Sequence, residues 1–117
     1  GSVLSPDVII EEGAEVKDSI IMYSTVIKRG AFIDRCIIDE HCVIGENVKM
    51  GVGENIINEN KPKIYNTGIT VVGEHTDIPD NVTIGKNCVV YGKTTSADYK
   101  DSVLESGKSI IIGEEDI

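Results

Sequence analysis

The chain has 117 residues, with 11 Lys and Arg against 20 Asp and Glu, a net charge of −9 and no Trp. That balance argues against a nucleic-acid partner, since phosphate backbones are held by clustered Lys and Arg. No apolar run approaches the about 20 residues of a membrane-spanning helix. Three cysteines, Cys36, Cys42 and Cys88, with no CxxC pair, fit neither a disulfide framework nor a zinc site.

The length predicts one domain, 1–117. No signal peptide and no initiator Met are read, and Gly1-Ser2 has the look of a cleavage scar. The expectation is a piece excised from a longer cytoplasmic protein. Aliphatic usage is lopsided: 19 Ile and 13 Val stand against 2 Leu and 3 Ala. β-Branched side chains suit pleated surfaces, whereas helices favour Leu and Ala, so the fold class is all-β.

From the N-terminus, aliphatic residues recur at Leu4, Ile10, Val16, Ile21, Ile27, Ile33, Ile38, Ile44 and Met50, with steps of 6, 6 and 5 that close every 17 residues. Neither the helical period nor strand alternation gives such steps. They are the hexapeptide repeat of a parallel β-helix, in which three short strands with corners make one triangular coil. Coils are predicted over about 3–51 and 69–92, with Ile10, Val16, Ile21, Ile27, Ile33, Ile38, Ile44, Ile78 and Ile84 pointing inward. A second small or aliphatic residue lies at the fourth offset, among them Ile20, Ile37, Cys42 and Cys88, and this position is also read as inward for the two cysteines. Cys36 falls one residue earlier and has no evident place. Between the coils, Gly51-Val52-Gly53, Asn55, Asn58, Asn60 and Pro62 mark an inserted loop over 52–68. After Gly92 a tail, 93–117, leaves the repeat, with Ser109–Ile112 expected to supply a closing strand.

The 17-residue register also aligns charges. Glu12, Arg29 and Glu46 form one column, and Glu11 lies beside Lys28, Lys17 beside Asp34 and Asp18 beside Arg35. Opposite charges on neighbouring strands stabilise by about 0.2–1 kcal/mol per pair. The acidic excess is read as solvated outer faces.

The segments Ser2-Val-Leu-Ser-Pro6, Asp18-Ser-Ile-Ile-Met22, Cys36-Ile-Ile-Asp39, Ile44-Gly-Glu-Asn-Val48 and Gly68-Ile-Thr-Val-Val-Gly73 together resemble the C-terminal β-helix domain of the glucose-1-phosphate adenylyltransferases. The resemblance implies a left-handed, single-stranded helix. It also implies a parent enzyme whose N-terminal nucleotidyltransferase domain makes ADP-glucose from ATP and glucose-1-phosphate, with magnesium, for glycogen synthesis. The Gly-rich, cationic triphosphate loop of that catalytic domain does not occur here, so this domain is expected to carry no catalytic, cofactor-binding or metal residues of its own. What the resemblance leaves to it is contact with the parent's catalytic domain and with sister subunits of a homo- or heterotetramer, together with a share in allosteric regulation.

Lys28, Arg29 and Arg35 are the dense cationic group and the candidate effector or anion site, because Arg binds phosphate bidentately. Their ladder pairing with acids is the competing explanation. Lys61 and Lys63 lie in the loop, in reach of an effector or a neighbour. Many relatives in the resembled family place a Lys or Arg after the Ile-Ile-Asp motif; here the position is Glu40, followed by His41. A carboxylate repels phosphate, which predicts a parent weakly sensitive or insensitive to fructose-bisphosphate-type effectors and is compatible with the related regulatory subunit. His41 and His75, each three residues after an aliphatic position, read as corner histidines. The alternative is a hexapeptide acyltransferase using an acyl-CoA, in which a His serves as general base.

Overall fold

A computed structural model describes residues 1–113; the last residues of the expected tail, 114–117, lie outside the described residues. The strands are β1 (Val3–Leu4), β2 (Ile9–Ile10), β3 (Glu15–Lys17), β4 (Ile20–Ile21), β5 (Val26–Ile27), β6 (Phe32–Asp34), β7 (Cys36–Ile38), β8 (Val43–Ile44) and β9 (Lys49–Met50). After the loop come β10 (Thr70–Val72), β11 (Asp77–Ile78), β12 (Thr83–Ile84) and β13 (Val89–Tyr91), then a 3-10 turn (Ser96–Asp98), β14 (Val103–Leu104) and β15 (Ser109–Ile111). All strand pairs are parallel and form three faces: β1-β4-β7-β10-β13-β15, β2-β5-β8-β11 and β3-β6-β9-β12-β14. The result is a β-solenoid of about six turns, consistent with left-handed winding. No helix among the described residues is long and apolar enough to cross a membrane.

Each face stacks one predicted aliphatic column. The first aligns Leu4, Ile21, Ile38, Val72, Val90 and Ile110. The second aligns Ile10, Ile27, Ile44 and Ile78, and the third Val16, Ile33, Met50, Ile84 and Leu104. Of the nine positions predicted inward, Ile21, Ile27, Ile33, Ile38, Ile44, Ile78 and Ile84 are at most 2% exposed. The other two need correction. Ile10 is 37% exposed and Val16 is half-buried, because they belong to the first coil and only one of its sides is covered by another.

The corners explain Cys36. Where the step shortens from six residues to five, between the third and first faces, the inward corner residue is at the third offset. Ser19 and Cys36 are therefore buried, while Ile20 is 40% exposed and Ile37 half-buried. Buried hydroxyls bridge the corners between coils. Ser19 Oγ accepts from Cys36 N at 3.0 Å and donates to Lys17 O at 2.8 Å. Thr25 Oγ1 accepts from Cys42 N at 3.2 Å and donates to Asp39 O at 2.8 Å. Thr70 Oγ1 does the same between Cys88 N, at 3.2 Å, and Gly85 O, at 2.6 Å. Each hydroxyl thus satisfies a donor and an acceptor that the turn takes out of the strand ladder.

The 22 residues from Met50 to Val72 equal the usual step of 5 plus 17, one whole coil. The excursion therefore leaves the register intact: Ile38 pairs directly with Val72. The segment after Gly92 also departs from expectation. It does not leave the solenoid, since β14 and β15 extend the third and first faces. Its coil is longer, with Val90 aligned to Ile110 and the 3-10 turn taking up the extra residues. Thr94 and Tyr99 fold back into the core, joined by a 2.9 Å hydrogen bond between their hydroxyls. Ser109–Ile111 provides the expected closing strand.

Ile38→Ala should lower stability by about 2–5 kcal/mol, as for truncations in closed cores, and Ile10→Ala by clearly less; urea unfolding compares them. Burial pushes the Cys36 and Cys42 thiols from 9.0 up to about 12. The folded chain then keeps protons that the unfolded chain releases above about pH 9. Stability should accordingly be full below that pH and fall as pH rises toward about 12, by up to about 1.4 kcal/mol per thiol per unit, as urea midpoints at pH 8 and pH 10.5 would register.

Candidate functional site

The cations predicted as a group are separated by the fold. Lys28 and Arg29 occupy the corner between β5 and β6, and Arg35 the corner between β6 and β7, at the other end of β6. Glu40 lies at a third corner, between β7 and β8. No single phosphate therefore meets all four residues.

Within the first corner the predicted ladder is partly realised. Arg29 approaches Glu46 at 4.0 Å with both side chains exposed, a pair worth little in water. Arg29 N donates to Glu11 Oε1 at 3.0 Å. Glu46 N in turn donates to Asp80 Oδ1 at 2.8 Å. Lys28 and the Arg35 side chain form no ion pair among the described residues. Lys17 is in register with Asp34, but its ammonium lies over the Phe32 ring, 5.8 Å from the centroid. Among the described residues, one of the four charge columns, that running through Arg29, closes as an ion pair; the side chains of the others are exposed or half-buried and free to turn to water.

Arg35 has φ +53°, a left-handed backbone that costs a non-glycine residue energy. Its N–H donates to Lys17 O at 3.0 Å, and its carbonyl accepts from Thr70 N at 3.3 Å. These backbone bonds belong to the corner and leave the Arg35 side chain exposed. Glu40 is half-buried, and its N–H donates to Asp39 Oδ1 at 2.7 Å.

The excursion after Gly51 is a fixed structure. Its pin is Asn58, fully buried. Asn58 Nδ2 donates to Asn87 O at 2.8 Å and to Ser109 Oγ at 3.1 Å. Its Oδ1 accepts from the N–H groups of Asn60 and Lys61, both at 2.9 Å. Asn87, equally buried, answers from the solenoid: Nδ2 donates to Ile56 O at 2.8 Å, and Oδ1 accepts from Gly68 N at 2.7 Å. On the outside, Lys108 Nζ and Glu59 Oε2 form an ion pair at 2.9 Å. Gly51 starts the excursion because its φ is +81° and a Cβ there would overlap the Asp34 carbonyl. Ile56, Ile57 and Ile64 are left exposed on the loop, as are Lys61 and Lys63. Beneath the loop's base is an open groove of about 390 Å³, with Glu54 and Glu105 among its lining residues. Its acidic walls suit a cation better than a phosphate.

His41 and His75 are both exposed, as expected of corner residues. The fold also brings them together, with parallel rings 5.1 Å apart at an interplanar angle of 3°. The sequence signal was there in their shared offset; what hid it was the excursion, which puts them 34 positions apart.

Comparison with known proteins places these features. The family described as GlmU-like, C-terminal hexapeptide, matches residues 1–72. A glucose-1-phosphate adenylyltransferase of Acetivibrio thermocellus is 48% identical over 114 residues, 97% of this chain and 27% of that protein. One from Thermomicrobium roseum is 44% identical over 95 residues, 80% of this chain and 22% of the relative. The chain thus spans about a quarter of the length of these curated relatives and corresponds to their C-terminal part. The acetyltransferase domain of PglB from Neisseria gonorrhoeae superposes with a TM-score of 0.56 at 16% identity, covering 98% of this chain and 48% of that one. That likeness is one of fold.

Asn58→Ala removes the acceptor of two loop amides and the donor to Asn87 and Ser109. It should cost about 1–3 kcal/mol and speed hydrogen exchange at the Asn60 and Lys61 amides, with the β circular dichroism spectrum unchanged.

Proposed function

The chain belongs to the family of GlmU-like C-terminal hexapeptide domains, and from that premise we propose that it is the non-catalytic C-terminal domain of a glucose-1-phosphate adenylyltransferase, or of the related regulatory subunit. The observation that carries the proposal is the 48% identity, over 97% of the chain, with an enzyme of that name. In the proposed parent, a separate cytoplasmic nucleotidyltransferase domain binds ATP, magnesium and glucose-1-phosphate and forms ADP-glucose for glycogen. This domain supplies a rigid body that packs on the catalytic domain and on sister subunits.

The rigidity has a physical source. A coil cannot bury its inner face alone, so the domain holds its shape through stacking. The exposed first coil (Val3, Leu4, Ile9 and Ile10) and the loop residues Ile56, Ile57 and Ile64 are apolar surfaces suited to such packing. Regulation is the finer part of the proposal. With Lys28 and Arg29, Arg35 and Glu40 on three corners, a phosphorylated effector meets at most one or two cations at a time. Glu40 opposes an anion at its own corner. The acyltransferase reading has the shared fold in its favour and no further feature of this chain.

The 117-residue chain should form no ADP-glucose from ATP, glucose-1-phosphate and magnesium, while the longer protein that contains it should. Turnover that tracks with the pure chain overturns the proposal, as does calorimetric binding of acetyl-CoA. In the longer protein, fructose 1,6-bisphosphate should activate weakly or not at all. Glu40→Lys should raise its apparent affinity about fivefold or more, because relief of about 1 kcal/mol of repulsion at 4 Å is worth that much. Strong activation of the unaltered protein, abolished by Arg29→Ala or Arg35→Ala, would assign the effector to those cations instead.

A further inference from the structure

The His41–His75 pair is unused by the reading above. Both residues follow the first face at equivalent positions of successive coils, and both have φ +57°. Their backbones are held alike: His41 N donates to Tyr23 O at 3.1 Å, and His75 N to Glu40 O at 3.0 Å. The rings stack in parallel at 5.1 Å, and the Tyr23 ring stands edge-on to His41 at 5.3 Å, closing that side of the pair. None of the four imidazole nitrogens has a hydrogen-bond or ion-pair partner among the described residues. The corner is acidic: Glu40 precedes His41, Glu74 precedes His75, and Asp39 and Asp77 flank them.

Two imidazoles superposed in this way, with open nitrogens in a field of carboxylates, select a cation and repel an anion. Neutral imidazole is a ligand for copper, nickel and zinc. Metal–nitrogen bonds of about 2.0–2.1 Å place two ligand nitrogens up to about 4 Å apart. Exposed rings 5.1 Å apart reach one ion by tilting toward each other, with the backbone unmoved. Among the described residues no group of three or more His, Cys, Asp or Glu converges on a ready-made site, so the remaining coordination positions belong to water.

We propose that His41 and His75 together bind one divalent transition-metal ion, as a clip between the coil before the 17-residue excursion and the coil after it. The two residues are 34 positions apart in the chain, so the ion ties a long loop at its neck. It would also stabilise the folded chain by mass action.

The test is calorimetric titration of the 117-residue chain with zinc chloride in a chelator-free buffer, repeated with H41N, H75N and the double variant. Asn is chosen because it tolerates the left-handed backbone of these corners. The expected result is one ion per chain, binding at least tenfold weaker in either single variant, and a double variant no weaker than a single one, since two ligands of one ion act as a unit. The thermal midpoint should rise with zinc in the unaltered chain and stay fixed in H75N. With copper chloride, electron paramagnetic resonance should show two equivalent nitrogens. If either Asn variant loses the β circular dichroism spectrum, H41Q and H75Q replace them. Absence of binding overturns the proposal. So does binding of unweakened affinity in the double variant, and so do single variants that each lose half the stoichiometry at unchanged affinity, the mark of two independent surface histidines.

Discussion

Parallel hydrogen bonding between successive coils is the constraint on which the rest of this structure depends. A parallel ladder fixes each residue against its equivalent one coil away, so the chain is organised in columns, and whatever occupies a column must tolerate its own kind. The aliphatic columns do so by dispersion and burial. Corner columns do so by chemistry: Ser19, Thr25 and Thr70 each accept an N–H from the coil above while donating to a carbonyl. Among the described residues no buried side-chain nitrogen or oxygen lacks a partner.

The same constraint explains how the chain accommodates its irregular parts. An excursion of one coil length returns β10 to the register of β7, and the solenoid closes over the gap. The loop so released is then tied back by two buried asparagines, Asn58 and Asn87, whose partners come from opposite sides of the seam. In the final coil, the extra residues collect in the 3-10 turn, Lys93 and Thr94 continue the second face beside Asp77, and Tyr99 turns inward to meet the Thr94 hydroxyl. Irregularity is admitted where the columns can be resumed.

Charge follows a different rule, because its columns face water and not the core. Arg29 finds Glu46, but Lys17 prefers the Phe32 ring to the acid in register with it. Sequence proximity of cations gives no grouping either. Lys28, Arg29 and Arg35 are close in the chain, yet a triangular coil sends them to different corners. Conversely, His41 and His75 are far apart in sequence and stacked in space. In a solenoid, nearness is counted in whole coils.

Much of this was legible in the sequence. The aliphatic spacing alone specified the coil, the 17-residue register and the break after Met50, because burial in a repeating coil demands a repeating pattern. The motifs quoted above pointed to the family. Other features were decided only by the tertiary structure. Ile10 is exposed because it lies in an end coil, and Cys36 is inward because one corner is a residue shorter. The segment after Gly92 rejoins the faces although its spacing is irregular. Asn58 and Asn87 meet because the excursion folds back across the stack. Spacing encodes which side of a strand faces inward, since that repeats locally. It does not encode which coils become neighbours once an insertion intervenes, because that depends on hydrogen bonds closed between distant parts of the chain.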